Sequence, residues 1–305
     1  MLVSIVIPVL NEEENIVTLY DRIAKSFFGR KESLEIVFVD DGSTDSTLEK
    51  IRALKDKKGV RYVSFSRNFG HQKAISAGLK AAKGDVVVII DADLQDPPEI
   101  IPSMIMKWEQ GYEVVFAKRK KRMKEGGLKK GLAFCFYRIF SFLSPVKIPI
   151  DAGDFCLYDR KVVDVLNNMP EIHRYVRGMR AWVGFKQAFV EFDRNPRDKG
   201  KAKYTFKKSL AMAMDATFSF SQKPLHLATI LGLLSALLGV LLIFIVCYWR
   251  VRYPSSQLTG TAIIFIVILF LGSVQLISIG IIGEYVGRIF EEIKNRPLYV
   301  IKETD

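Results

Sequence analysis

Cysteine is scarce: 305 residues hold three, Cys135, Cys156 and Cys247. Their spacing matches no metal-binding pattern, and three thiols cannot all pair within one chain. Two of them sit in strongly apolar stretches, which suits buried thiols in a reducing compartment. Glycine-rich nucleotide motifs are missing too. No G-x-G-x-x-G follows the first apolar run and no G-x-x-x-x-G-K-[ST] occurs anywhere, which disfavours a dinucleotide dehydrogenase or a P-loop enzyme. The opening MLVSIVIPVLNEEEN is apolar at its start yet has no basic leader and no small-residue cleavage site. It reads as a buried strand and not a signal peptide.

Charge is absent from two long runs. With His226 neutral, none occurs from Leu225 to Trp249, and none from Ser255 to Gly283. Each run exceeds the roughly 20 apolar residues that cross a bilayer core, so two transmembrane helices are expected, at about 225–249 and 260–283. The polar YPSSQLTG between them suits a tight hairpin on the far side. The chain therefore divides into residues 1–224 and a two-helix anchor with its tail, 225–305. Lys and Arg lie mostly on the outer flanks, with only Arg250 and Arg252 in or near the hairpin. The positive-inside bias then puts residues 1–224 and the tail EEIKNRPLYVIKETD on the cytoplasmic face of a multi-pass inner-membrane protein. Across the chain, 45 Lys and Arg against 33 Asp and Glu leave a net charge of +12, which calls for an anionic partner.

Residues 1–224 alternate strand and helix patterns. LVSIVIPVL, LEIVFVDD, VRYVSFS and DVVVIID read as strands; NEEENIVTLYDRIAKSF, STDSTLEKIRALKDK and about His71 to Ala82 read as helices, the second opened by a Ser/Thr/Asp cap. This rhythm predicts an α/β domain with a parallel sheet covered on both faces. Ligands of such sheets bind at the carboxyl ends of the strands, where PVLNEE, VDDGSTD and DADLQD converge. The last of these ends an apolar strand on Asp91 and Asp93, two like charges that repel unless they face water or hold a cation between them.

PVLNEEENI, EIVFVDDGSTDST and DADLQDPPE, in that order and spacing, resemble the inverting nucleotide-sugar glycosyltransferases of family 2, which have the Rossmann-like GT-A fold. DAGDFCLYDR, RGMRAWVGF, RDKGKAKYTFKKS and the two C-terminal helices narrow the resemblance to polyprenyl-phosphate glycosyltransferases, the group of bactoprenol glucosyltransferases and dolichyl-phosphate mannose synthases. The resemblance implies Mg²⁺ or Mn²⁺ held by Asp93, Gln95 and Asp91, a hard cation that neutralises the departing pyrophosphate. It also implies nucleotide-sugar contacts at Pro8, Leu10, Glu12, Phe38, Asp40, Asp91 and Ala92. A carboxylate at Asp40 can accept from the imide N–H of uracil or guanine alike, and DGSTDST is equally a helix cap. The implied base is Asp154, with Asp151 as runner-up; a lipid monophosphate acceptor is already largely dianionic at neutral pH, so Asp154 can instead bind metal or position the sugar. Arg119, Arg197 and Lys203 are the implied phosphate contacts, with Ala202 where the family commonly has Ser.

Eight of the thirteen residues from Lys118 to Lys130 are Lys or Arg. Together with GLAFCFYRIFSFL and KKSLAMAMDATFSFSQKP they read as basic collars on amphipathic membrane-surface helices, about 129–146 and 207–223. Nucleic-acid binding is disfavoured, because no recognisable module accompanies the basic residues. The Q-x-x-R-W of processive synthases is not matched by RYVRGMRAWVG, and two spans are too few for a polymer channel. The expected activity is transfer of one sugar, glucose from a UDP donor favoured, to undecaprenyl phosphate, with a flippase and a second transferase acting on the product. The alternatives are a processive polysaccharide synthase, a non-catalytic scaffold or a flippase component. Small residues in the spans (Gly232, Ser235, Gly239, Gly272, Gly280, Gly283) allow close helix packing and suggest a homo-oligomer.

Overall fold

Runs rich in Val and Ile cannot satisfy their backbone polar groups alone, and pair as strands. The computed structural model describes residues 1–119, 152–193, 221–252 and 260–305. Its strands are β1 (Leu2–Val9), β2 (Ser33–Asp40), β3 (Val60–Phe65), β4 (Val86–Ile89), β5 (Val114–Arg119), β6 (Ala152–Asp159), β7 (Gln187–Phe192) and β8 (Ile301–Thr304). They form one sheet in the order β7-β5-β6-β4-β1-β2-β3-β8. The first four pair in parallel around β1, as their continuous apolar character predicts. Beyond them β6 runs antiparallel to β4 and β5, so the sheet is mixed but mostly parallel at its centre.

Helices cover both faces. They are α1 (Ile16–Ser26), α2 (Thr47–Ala53), α3 (His71–Ala81), α4 (Ile101–Glu109), α5 (Arg160–Asn168) and α6 (Val176–Trp182); two further helices, α7 (Lys223–Arg252) and α8 (Gly260–Ile293), belong to a separate unit. Alternate β1 residues Val3, Ile5, Ile7 and Val9 share a core with Ile16, Leu19 and Ile23 of α1 and with Ile101, Met104 and Ile105 of α4. Each buried aliphatic side chain stabilises the fold by about 1.5–3 kcal/mol. The intervening β1 residues turn to the other face. There α3 approaches so closely that a methyl on Gly78 would lie 2.1 Å from Val6 Cγ1.

The described residues divide into two units, 1–119 with 152–193 and 296–305, and 221–252 with 260–295. The second unit is α7 packed against α8. Two spans in it, Lys223–Trp249 and Val267–Ile293, are long and apolar enough to cross a membrane. Their side chains are largely exposed, Leu237 at 68% and Leu276 at 72%, so no protein core explains their hydropathy. The C-terminal residues correct the sequence reading, which treats them as a tail of the anchor segment. They belong to the sheet unit and supply its edge strand β8, antiparallel to β3. Hydropathy marks where an apolar run stops, not which edge a polar strand will pair with. The amphipathic stretches expected at 129–146 and nearly all of 207–223 lie outside the described residues, as does most of the hairpin.

Candidate active site

Parallel strands β1, β2 and β4 all end at one edge of the sheet, and the polar turns that follow them gather there. After β4 the chain runs Asp91-Ala92-Asp93-Leu94-Gln95. Leu94 is held at φ 60°, a left-handed conformation uncommon for a bulky residue and costing about 1–3 kcal/mol. The Gln95 amide donates to Asp93 Oδ1 at 3.2 Å, which tightens the turn, and Ala92 is buried.

The antiparallel register between β4 and β6 sets Ile89 opposite Cys156. Asp91 lies two residues after Ile89 and Asp154 two residues before Cys156, which is how sequence-distant carboxylates meet. His71, the first residue of α3, reaches both: its Nε2 lies 3.5 Å from Asp91 Oδ1 and 3.5 Å from Asp154 Oδ2. Arg177 of α6 completes the group, with Nε donating to Asp154 Oδ1 at 2.8 Å and Nη2 to Oδ2 at 2.7 Å. This is the two-pronged geometry that guanidinium and carboxylate favour. Behind it Arg180 is fully buried, its Nη1 3.5 Å from the Gly153 carbonyl and its guanidinium 5.3 Å from the Phe116 ring centroid. Arg119, at the end of β5, borders the group, with Nη2 3.9 Å from where a Gly153 side chain would begin.

These neighbours set the charges. Burial opposes ionisation of Asp154, but the Arg177 fork and His71 outweigh it and hold the carboxyl far below its usual range. Burial opposes the charge on His71 too, yet Asp154 and Asp91 push its pKa up to about 9, so the imidazole is cationic at neutral pH. Asp91 is raised, first by burial and then by Asp154 and Asp93. Its Oδ1 accepts no hydrogen bond among the described residues. That oxygen, facing His71 Nε2 at 3.5 Å, and the nearby Asp93 carboxylate are hard oxygen donors of the kind a divalent cation takes. No three His, Cys, Asp or Glu side chains among the described residues converge on one metal position.

The other expected site residues are placed variously. Pro8 is buried near the end of β1 and Leu10 is partly exposed just after it. Glu12 accepts from Asn15 Nδ2 at 2.7 Å, and its amide donates to Thr47 Oγ1 at 2.9 Å, so it braces the first turn. Phe38 is fully buried in the hydrophobic core. Asp40 is 1% exposed and accepts from Ser64 Oγ at 2.8 Å and the Ser43 amide at 3.0 Å. Asp41 accepts from the amides of Phe69 and Gly70 ahead of α3 and so positions His71. Asp151, Arg197 and Lys203 lie outside the described residues. His71 and Arg177 are not among the site residues expected from the sequence, and Arg180 enters there only in the comparison of RYVRGMRAWVG with Q-x-x-R-W. The signals available were the motif RGMRAWVGF, which holds both arginines, and their spacing, three apart and hence on one face of a helix.

Comparison with known proteins identifies the family. The family described as Glycosyl transferase family 2 matches residues 4–166. An uncharacterized glycosyltransferase, YkcC of Bacillus subtilis, is 46% identical over 99% of this chain and 93% of its own length. The SfII prophage-derived bactoprenol glucosyl transferase of Shigella flexneri is 40% identical over 100% of this chain and 98% of its own. Among solved structures, S. aureus TarS 1–349 in complex with UDP-GlcNAc aligns with a TM-score of 0.49 at 20% identity, over 72% of this chain and 66% of that one. The chain belongs to glycosyl transferase family 2 and is a glycosyltransferase with the α/β catalytic fold its strand-end motifs predict.

Proposed function

We propose that this protein transfers one sugar from a nucleotide donor, UDP-glucose being favoured, to polyprenyl phosphate at the cytoplasmic face of a membrane, with inversion at the anomeric carbon. The observation that carries the reading is the convergence of Asp91, Asp93, His71, Asp154 and Arg177 at one sheet edge, in a chain that also holds two membrane-length apolar helices. Relatives named bactoprenol glucosyl transferase, similar over essentially the whole chain, support the acceptor class.

The residues divide the work. Asp91, Asp93 and Gln95 would hold a divalent cation, Mg²⁺ or Mn²⁺. Bound there, such an ion neutralises charge on the departing nucleoside diphosphate. Arg119, with Arg197 and Lys203, binds phosphate oxygens. Asp40 and the turn after β1 hold the base and ribose. The acceptor phosphate is already largely dianionic, its second ionisation lying near 6 for comparable monophosphates, and attacks without a strong base. The product, a lipid-linked sugar on the cytoplasmic face, suits a flippase and a second transferase beyond it.

The test is a transfer assay on the full chain in detergent, with undecaprenyl phosphate, Mg²⁺ or Mn²⁺ and a panel of radiolabelled UDP- and GDP-sugars. Label entering the organic phase from one donor, lost with EDTA, is the expected outcome. Asp93→Asn is expected to lower kcat on the order of 100-fold, as loss of a metal contact worth several kcal/mol requires. Donor binding without lipid labelling would overturn the acceptor, and full activity in EDTA would overturn the metal.

A further inference from the structure

Asp154 stands where a proton acceptor is expected, yet its surroundings suit a different task. Both carboxylate oxygens are taken by the Arg177 fork, and His71 stands 3.5 Å from Oδ2. The carboxylate is buried, its side chain only 5% exposed, while the Arg177 side chain is 30% exposed and so reaches the edge of the site. Arg180, one turn further along α6, carries a second guanidinium into the interior. Its Nε and Nη2 find no hydrogen-bond partner among the described residues. Burial opposes the charge on this cation, which Cys156 and Tyr158 favour most and Asp154 favours as well.

We propose that Arg177 is a positioning residue, backed by Arg180, which occupies both oxygens of Asp154 and makes that carboxylate a fixed negative anchor rather than the acceptor of a proton. The inference rests on the reading of the acceptor as a lipid monophosphate, since such an acceptor needs no deprotonation. In the step itself, one oxygen of the dianionic phosphate forms a bond to the anomeric carbon. The bond from that carbon to the donor's β-phosphate oxygen breaks, and its electron pair leaves with the nucleoside diphosphate. No proton moves, so Asp154 has none to take. Its contribution is to hold Arg177 and His71 in place beside Asp91.

The experiment measures kcat, donor KM and thermal midpoint for the full chain and for Arg177→Lys, Arg177→Met, Asp154→Asn and the Arg177→Met/Asp154→Asn double variant. Groups that act as one unit are strongly non-additive. Arg177→Met and Asp154→Asn are therefore each expected to lower kcat by about 100-fold, on the scale of losing one preorganised electrostatic contact, and the double variant is expected to be no worse than the poorer single. Arg177→Lys, which keeps the charge but not the fork, is expected to lower kcat about tenfold at unchanged donor KM and thermal midpoint, a split that a merely structural role would not produce. Near-normal kcat in Arg177→Met or Arg177→Lys with Asp154→Asn inactive would overturn the proposal and make Asp154 the base. Multiplicative losses in the double variant would overturn it as well. If Arg177→Met does not fold, Arg177→Lys against Asp154→Asn decides alone. Should the wild-type chain fail to label the lipid, that failure overturns the acceptor reading on which this inference rests, and it is distinguished from failure of the inference itself, which shows only in the variants.

Discussion

Glu35 shows how much one buried carboxylate can organise. It is 6% exposed, and three neighbours donate to it: Arg61 Nη1 at 3.1 Å, the Lys83 amide at 2.8 Å, and Ser4 Oγ. Ser4 Oγ in turn accepts from the Gly84 amide at 2.7 Å, so β1, β2, β3 and the approach to β4 are joined at one point. Burial works against the charge on Glu35, but these donors outweigh it and its pKa lies below the usual 4.5. A group with a lowered folded pKa stabilises the fold fully above its unfolded value and loses that contribution as pH falls through the folded one. Glu35→Gln is therefore expected to cost about 1.5–3 kcal/mol at neutral pH, the range for a charge-assisted buried hydrogen bond. The gap to wild type should narrow below pH 4.5 as wild type weakens. Thermal melts of both proteins at neutral and acid pH decide the matter, and an equal gap at both would refute it.

At the scale of elements, α3 does two jobs. Its buried residues Ala74, Ile75, Ala77, Gly78 and Leu79 pack on the sheet, and its first residue is His71, which meets both site carboxylates. The small residues let the helix axis come close, and that closeness brings His71 within reach of Asp91 and Asp154. A methyl at Gly78 would meet Val6 Cγ1 at 2.1 Å and Val39 Cγ2 at 3.2 Å, on strands that cannot give way. Gly78→Ala is expected to destabilise by about 1–3 kcal/mol through overpacking. It should also lower kcat while leaving the DxD turn intact, because the shifted helix carries His71 with it. Normal melting and normal turnover together would show that α3 has room to spare. The helix could be read from its apolar spacing in the sequence. Its role in the site could not, because nothing local to His71 names Asp91, 20 residues on, or Asp154, 83 residues on.

At the scale of the whole molecule, the C-terminus returns to the sheet. Tyr299 stacks on Phe65 with ring centroids 4.8 Å apart, Glu303 pairs with Arg52 at 2.5 Å, and Asp305 lies 3.5 Å from Arg61. An uncovered β3 would present a row of unpaired amides and carbonyls. Deleting residues 296–305 is expected to lower the thermal midpoint of the sheet unit and promote aggregation through that edge. Tyr299→Ala should give a smaller loss, about 0.5–1.5 kcal/mol beyond the buried area. Unchanged melting and solubility of the truncated chain would show that β8 is dispensable.

The amino-acid sequence by itself determined the alternating strand and helix pattern, the two apolar spans and the DxD turn. Each of these is a local property: period, length, or adjacent residues at a strand end. Tertiary structure alone decided which carboxylates meet. The antiparallel register of β6 against β4 brings Asp154 beside Asp91, the short α6 turns Arg177 onto it, and the close packing of α3 delivers His71. It also decided that the polar C-terminus closes the sheet, since strand pairing joins segments that share no local signal. Phe38 and Asp40 mark the same boundary from the other side. The family resemblance implies nucleotide contacts for both, and only the packed structure shows that Phe38 also fills the core and that Asp40 also accepts from Ser64 and Ser43.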